Sequence, residues 1–337
     1  MYISMLRLLV GLILLISTAC GSLALWYQLY DFPFAVSLFV LTCWSVLGIA
    51  CVITLGYRYR RRMRNLLIAY LLLGAILLIW WQTVTPSHQR DWADDVAYLL
   101  KSEMQGNQVT LYNVRNFKWR SESDYTANWQ TRHYNLEQLV SADLILSYWM
   151  GPHIAHTLVS FGFNNGQQLV FSLEIRKERH ESFSAIGGLF RQFEQVVIAA
   201  DERDIILTRS NARNEDVYLY PLALNPQQLR TLFLGYLTMA ESLRTTPQFY
   251  NTLTSNCTTI VFDLARQIAP GIPLDYRLLL SGHFAEYAYD QGALIPGYSY
   301  SQLQTSGYIN VRAQQANEDP NFSRAIRNDI AAISKED

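Results

Sequence analysis

Cys257 is the residue of this chain best suited to nucleophilic chemistry. The chain has four cysteines, at positions 20, 43, 51 and 257. The first three lie inside long apolar runs, where a thiol serves as a small apolar filler. Cys257 is alone in the more polar remainder, directly after Asn256 and at the start of a helix expected over about Thr258 to Ile268, before Pro270. A helix N-terminus carries partial positive charge and unsatisfied N–H groups. It favours the thiolate, the nucleophilic form of cysteine, and the same N–H groups can hold the oxyanion of an acyl intermediate. The bland alternative is a buried cysteine that happens to be free.

A thiol nucleophile needs a base, most often histidine. His88 sits where the third apolar run ends, His133 in an aromatic stretch, His180 in a charged loop and His283 after Ser281-Gly282. His153 and His156 remain, in Gly151-Pro152-His153-Ile154-Ala155-His156-Thr157. His156 opens a predicted strand, a rigid place for a base. A third group should orient the imidazole, and Glu174 is the candidate. It lies on the strand returning from His156 after the turn at Asn164-Asn165-Gly166. That turn sets the two side chains side by side on one face, whereas a one-residue slip would turn Glu174 away. A surface glutamate pairing with Arg176 or Lys177 is the competing reading. Asn256, Tyr250 and His153 are candidates for polar support and substrate contact. His153 and His156 do not read as a zinc pair, because positions three apart on a strand face opposite ways. No Cys-x-x-Cys or His-Glu-x-x-His pattern exists. No metal and no cofactor are expected.

The elements that position these residues begin with an anchor. Three apolar stretches run from about Leu6 to Tyr27, Phe34 to Tyr57 and Leu66 to Val84. Each suffices for the ~20 helical residues that cross a hydrocarbon core, and none has a charge in its middle. Arg58, Arg60, Arg61, Arg62 and Arg64 lie between the second and third runs, whereas Gln28 to Pro33 has no positive residue. The positive-inside rule puts the arginine turn and the N-terminus in the cytoplasm and everything after Val84 outside. Trp26, Tyr27, Tyr30, Tyr57, Trp80 and Trp81 sit near span ends, as an aromatic belt does. Ser17-Thr18-Ala19-Cys20 loosely resembles a lipoprotein cleavage site, but an uncleaved span is the better reading. The expected division is an anchor over 1–87 and an extracytoplasmic domain over 88–337 with its core at about 115–280. The localisation expected is the bacterial inner membrane. A net charge of −1 gives no electrostatic argument for nucleic acid.

In the exported part, Asp91 to Met104 has helical spacing, Val109 to Tyr112 reads as a strand, and Leu136 to Val140 as a short helix. Strands are predicted at Leu144–Trp149, His156–Phe163, Gln168–Arg176, Phe193–Ala199, Ile205–Arg209 and Val217–Pro221, with Asp201 to Asp204 as a charged turn. Asn225-Pro226 starts a helix that runs to about Arg244, and the Cys257 helix follows. An antiparallel sheet with helices clustered after it is an α+β class.

His156-Thr157-Leu158 opening a strand, Phe190-Arg191-Gln192-Phe193-Glu194, Ala200-Asp201-Glu202-Arg203-Asp204, Val217-Tyr218-Leu219-Tyr220-Pro221, and Tyr250-Asn251 leading into Asn256-Cys257-Thr258 together resemble the Lnb N-terminal periplasmic domain family. The resemblance covers roughly residues 115 to 280 and leaves the three spans outside it. It implies kinship with the lipoprotein N-acyltransferase Lnb and a circularly permuted papain-like fold of the NlpC type, with His156 as base and Cys257 as nucleophile. Ala155 stands where a glycine often precedes the family histidine.

Two functions from different classes follow. One is a membrane-tethered thiol acyltransferase or hydrolase, with a membrane lipid or lipoprotein as partner or, as a variant, a peptidoglycan peptide. The other is a non-catalytic binding or assembly module of the envelope. The acyl donor, the acceptor and the oligomeric state are not encoded in any motif. The topology makes a direct prediction: a reporter active only outside the cytoplasm is active when fused after residue 90 and silent when fused at Arg61, and the reverse pattern would overturn the orientation.

Overall fold

A computed structural model describes residues 2–30, 32–56 and 60–330. The chain folds as two compact units. The first comprises Met1–His88 with the segments Phe183–Phe193 and Phe249–Asn251; the second holds the rest.

The first unit contains three helices, α1 (Tyr2–Gln28), α2 (Phe34–Gly56) and α3 (Arg60–Thr83). All three are long and apolar enough to cross a membrane. Most of their leucine and isoleucine side chains face outward, Leu8, Leu12, Leu71 and Ile79 among them. Helices in lipid gain little from apolar burial against each other and rely on close packing and polar contacts. Here Tyr70 stacks on Trp44 at 4.7 Å and its hydroxyl meets Ser17 Oγ at 2.7 Å, while Trp44 Nε1 donates to Thr18 O at 3.0 Å. Gly48 permits the close approach of α1, because a Cβ there would lie 2.1 Å from Thr18 Oγ1. Tyr57 and Arg58, expected in the aromatic belt and the arginine turn, lie outside the described residues.

The second unit is built on an eight-stranded sheet. Its strands are β1 (Lys101–Gln105), β2 (Gln108–Arg115), β5 (Trp129–Asn135), β6 (Leu139–Tyr148), β7 (Ala155–Phe163), β8 (Gln168–Arg176), β9 (Glu194–Ala200) and β10 (Asp216–Pro221); the short β3 (Lys118–Trp119) and β4 (Tyr125–Thr126) pair with each other. The order is β1-β2-β9-β8-β7-β6-β10, with β5 also on β2. One join departs from the expected antiparallel sheet: β2 meets β9 in parallel through Arg115 and Ala200.

The pleat sorts side chains to two faces. Ile145, Leu158, Val170, Val196 and Ile198 share one face and pack against Ile205 and Ile206 and against Ile309, Phe322 and Ile326 of the C-terminal segment. That segment carries α7 (Phe284–Asp290), α8 (Tyr300–Gly307), α9 (Asn310–Gln315) and α10 (Phe322–Ala325). On the other face Phe161 and Phe171 meet Phe233 edge-on, and Phe171 stacks on Tyr236, both from α5 (Pro226–Thr245), which Asn225 opens with a capping box. Helix α6 (Cys257–Ile268) packs beside α5.

Two expectations are corrected. Residues 91–104 are not helical: a single 3₁₀ turn at Asp94–Val96 precedes β1, and the Gly106-Asn107 turn returns β1 to β2. Val96 and Leu100 are buried as the periodicity required, but as part of an irregular segment and not of a helix. Residues 205–209 are not a strand. Asp201 caps a helix, α4 (Glu202–Leu207), which runs into a π-helical turn over Thr208–Ala212. A short run such as Ile205-Ile206-Leu207 carries no period of its own, and here the capping aspartate decided the outcome.

The supposed charged turn at 201–204 is largely interior. Asp204 is buried and accepts from Arg115 Nε (2.9 Å) and Nη2 (3.0 Å), Phe117 N (2.9 Å) and Trp119 Nε1 (2.8 Å). Glu202 and Asp143 share Arg327, at 2.6 and 2.7 Å, which ties the C-terminal segment to the sheet. Removing one partner of a buried pair strands the other charge, at a cost of about 3–5 kcal/mol. Asp204→Ala should lower unfolding stability by about that amount, read by chemical denaturation of the full chain in detergent; a change within error would show that water replaces the carboxylate.

Candidate active site

Strands β7 and β8 carry two of the site's groups. Their register pairs Leu158 with Ser172, and one further pleat sets His156 across from Glu174. All four side chains point to one face. His156 Nε2 lies 3.2 Å from Glu174 Oε1 and 2.7 Å from Ser172 Oγ, and Ser172 Oγ donates to the same carboxylate oxygen at 2.8 Å. Arg209 Nη2 donates to that oxygen at 2.7 Å from the π-helical turn after α4. His156 Nε2 is thus held by both Glu174 and Ser172.

The β7–β8 ladder ends at Leu158 and Ser172, and the Cys257 sulfur takes up what the strands leave. It lies near enough to the His156 ring and the Thr157 N–H for both to favour its charged form, and Thr258 Oγ1 is 4.0 Å away. The adjacent Thr258 Oγ1 meets Thr157 Oγ1 at 2.8 Å, so the helix start is pinned to the strand next to the thiol. Upstream, Ser281 Oγ accepts from Ala155 N at 2.9 Å and Gly282 N donates to His153 O at 2.9 Å, bracing the entry into β7. Gly282 is required by that approach, since a Cβ would meet Pro152 O at 2.3 Å.

Electrostatics follow from these contacts. Burial pushes the Cys257 thiol up, but the His156 charge, its hydrogen bond and the Thr157 N–H outweigh burial, and the thiol is lowered from its ordinary range. Burial pulls His156 down, but the Glu174 carboxylate and the Cys257 sulfur lift it to about 9. Burial likewise favours a neutral Glu174, yet His156 and Arg209 hold it well below the usual carboxylate range. The three shifts point the same way: each favours a row of thiolate, imidazolium and carboxylate, with the Arg209 guanidinium beside the last.

The other expected residues are placed differently. Asn256 caps α6: its Oδ1 accepts from Thr258 N and Thr259 N, both at 2.9 Å, and its Nδ2 donates to Thr252 O at 2.8 Å. Its side chain is thus occupied by the fold. His153 stacks on His283 with Nδ1 2.9 Å from Nε2, and His283 pairs with Glu286 at 3.5 Å. Tyr250 belongs to the membrane-helix unit, where its N–H donates to Phe193 O at 2.9 Å. Among the described residues no group of three His, Cys, Asp or Glu side chains is arranged to hold a metal ion. Sequence reasoning passed over two contributors. Ser172 was legible, two positions before Glu174 and so on its face. Arg209 was hidden by reading its segment as a strand.

These features define a class: a membrane protein whose mixed α/β domain brings a strand-borne histidine and glutamate to a cysteine at a later helix start. Residues 125–282 match the model of the Lnb N-terminal periplasmic domain family. The protein is thus a membrane protein with a periplasmic domain. No curated protein and no solved structure matches the chain.

The charge row predicts a pH signature. Alkylation needs only the thiolate, so its rate should fall as pH drops through the lowered thiol value, with a midpoint below the ordinary thiol range of about 8.5. If the imidazolium also serves as a proton donor, turnover should decline again as pH rises through about 9. His156→Ala should move the alkylation limb upward. Glu174→Gln should move the alkaline limb of turnover down toward the ordinary histidine value of about 6.5 while leaving the fold intact. An ordinary thiol profile that His156→Ala does not change would sink the coupled pair.

Proposed function

We propose that the periplasmic domain is a thiol acyltransferase or hydrolase that forms an acyl-enzyme on Cys257, with His156 as base and acid and Glu174 as the group that orients it. The observation that carries this reading is a buried thiol placed beside a histidine whose Nε2 is held by a partly buried carboxylate. The thiolate attacks the acyl carbonyl and a tetrahedral oxyanion forms. Asn256 already occupies Thr258 N and Thr259 N, so of the first helix N–H groups that of Cys257 itself is the one left to meet the oxyanion. The intermediate collapses to a thioester as the imidazolium gives its proton to the departing alkoxide or amine. An acceptor amine or water then gives a proton to neutral His156 and attacks the thioester, and the thiolate leaves with the imidazolium restored.

The anchor supports a lipid or lipoprotein as acyl donor, since both reside at the bilayer the three spans cross. The membrane proposed is the bacterial inner membrane, with the N-terminus and the arginine turn cytoplasmic. Incubation of the full chain with vesicles of bacterial lipids should add an acyl mass to Cys257 that hydroxylamine removes. Cys257→Ala should abolish the adduct and still fold, because a small side chain at a helix start takes up little core volume. His156→Ala should slow acylation by about 10²–10⁴-fold. A Cys257→Ala variant that keeps its effect on cellular lipid and lipoprotein composition would turn the assignment toward a binding module.

A further inference from the structure

The segment Phe183–Phe193 is folded with the membrane helices although it lies a hundred residues beyond them in sequence. Its backbone is fixed to the last turns of α1 and α3. Gln28 Nε2 donates to Phe190 O and Arg191 O at 2.8 and 2.9 Å, Tyr27 stacks on Phe190, and Tyr27 Oη meets Ser184 Oγ at 3.0 Å. Arg191 Nη1 donates to Trp81 O (2.7 Å) and Val84 O (3.1 Å), and its guanidinium lies over the Trp81 ring. A cation thereby satisfies carbonyls that the end of α3 leaves open. Arg191 holds a left-handed backbone (φ 57) to do so, a conformation that persists only where its surroundings fix it.

The ends of α1 and α3 lie on one side of the bilayer, because three spans alternate in direction. The segment is therefore held at the level where the hydrocarbon gives way to headgroups. Its tip is apolar: Phe183, Ile186 and Leu189 are 44, 50 and 38% exposed. A 3₁₀ turn over Gly187–Leu189 puts Ile186 and Leu189, three apart, on the same side. Arg191 is the only charge between Phe183 and Phe193, and it faces the helix ends.

We infer that the Phe183–Leu189 turn is a second membrane contact, inserted into the outer leaflet beside the spans and held there by Arg191. The partner is bilayer lipid: the surface continues that of the membrane helices, carries no free charge, and has the amphipathic form of an interfacial element. The inference is independent of the thiol chemistry. The test places a photoreactive amino acid at position 186, 189 or 311 in the full chain, in phosphatidylethanolamine–phosphatidylglycerol vesicles. Val311 is 57% exposed and serves as control. Irradiation should give lipid-mass adducts at 186 and 189 well above those at 311, and Arg191→Ala should reduce them. Adducts no greater than at Val311, or adducts to protein alone, would overturn the insertion; adducts unchanged in Arg191→Ala would overturn the clamp.

Discussion

The site depends on keeping a carboxylate ionised inside the protein. Partial burial pushes Glu174 toward its neutral form unless cations and donors surround it. One of its oxygens is met by His156, Ser172 and Arg209. Each comes from a different constraint: His156 from the neighbouring strand, Ser172 from the same strand one pleat away, and Arg209 from a helix that departs from α geometry as it delivers the guanidinium. The π-helical turn at Thr208–Ala212 thereby gains a physical reason, as such turns often mark functional positions. The buried Arg115–Asp204 pair then fixes α4 upstream of that turn.

The thiol is lowered from its ordinary range by His156 and by an N–H of the strand. Asn256 consumes two of the N–H groups that make a helix N-terminus electropositive. What lowers the thiol is the imidazolium and one N–H of the strand, Thr157, at the point where β7 and β8 stop pairing. The sheet in effect leaves one rung open, and the helix brings sulfur to it.

Much of this was legible in the sequence, for reasons that differ by residue. The hairpin register that joins His156 to Glu174 followed from period-two alternation and from a turn whose residues fix its length. Helices α5 and α6 announced themselves by Asn225-Pro226 and by Asn256 before an apolar stripe. The three spans needed only hydropathy and length. Tertiary context decided what remained hidden. Ile205 to Arg209 has a composition that suits either element. The apolar positions between Trp92 and Leu100 mimic a helix because their burial is dictated by the sheet they cover. Nothing in the local pattern of Arg191 foretells that it closes a helix of the membrane anchor, because that interaction spans about a hundred residues of chain.

The Arg191 contacts also bear on how such a protein could be assembled or taken apart over evolutionary time. A membrane anchor joined to an exported domain is usually exchangeable: any set of spans serves if the linker is long enough. Here Phe183–Phe193 and Phe249–Asn251 complete the fold of the anchor itself, with Phe249 against Arg191 and Tyr250 bonded to Phe193. The latter segment leads in the chain directly to the helix of the thiol. A chain begun after His88 would release these segments from Gln28, Trp81 and Val84 and expose aromatic surface that now has a place. Anchor and domain have thus become joint property of one sequence, and neither can be swapped without redesigning loops that belong, by numbering, to the other.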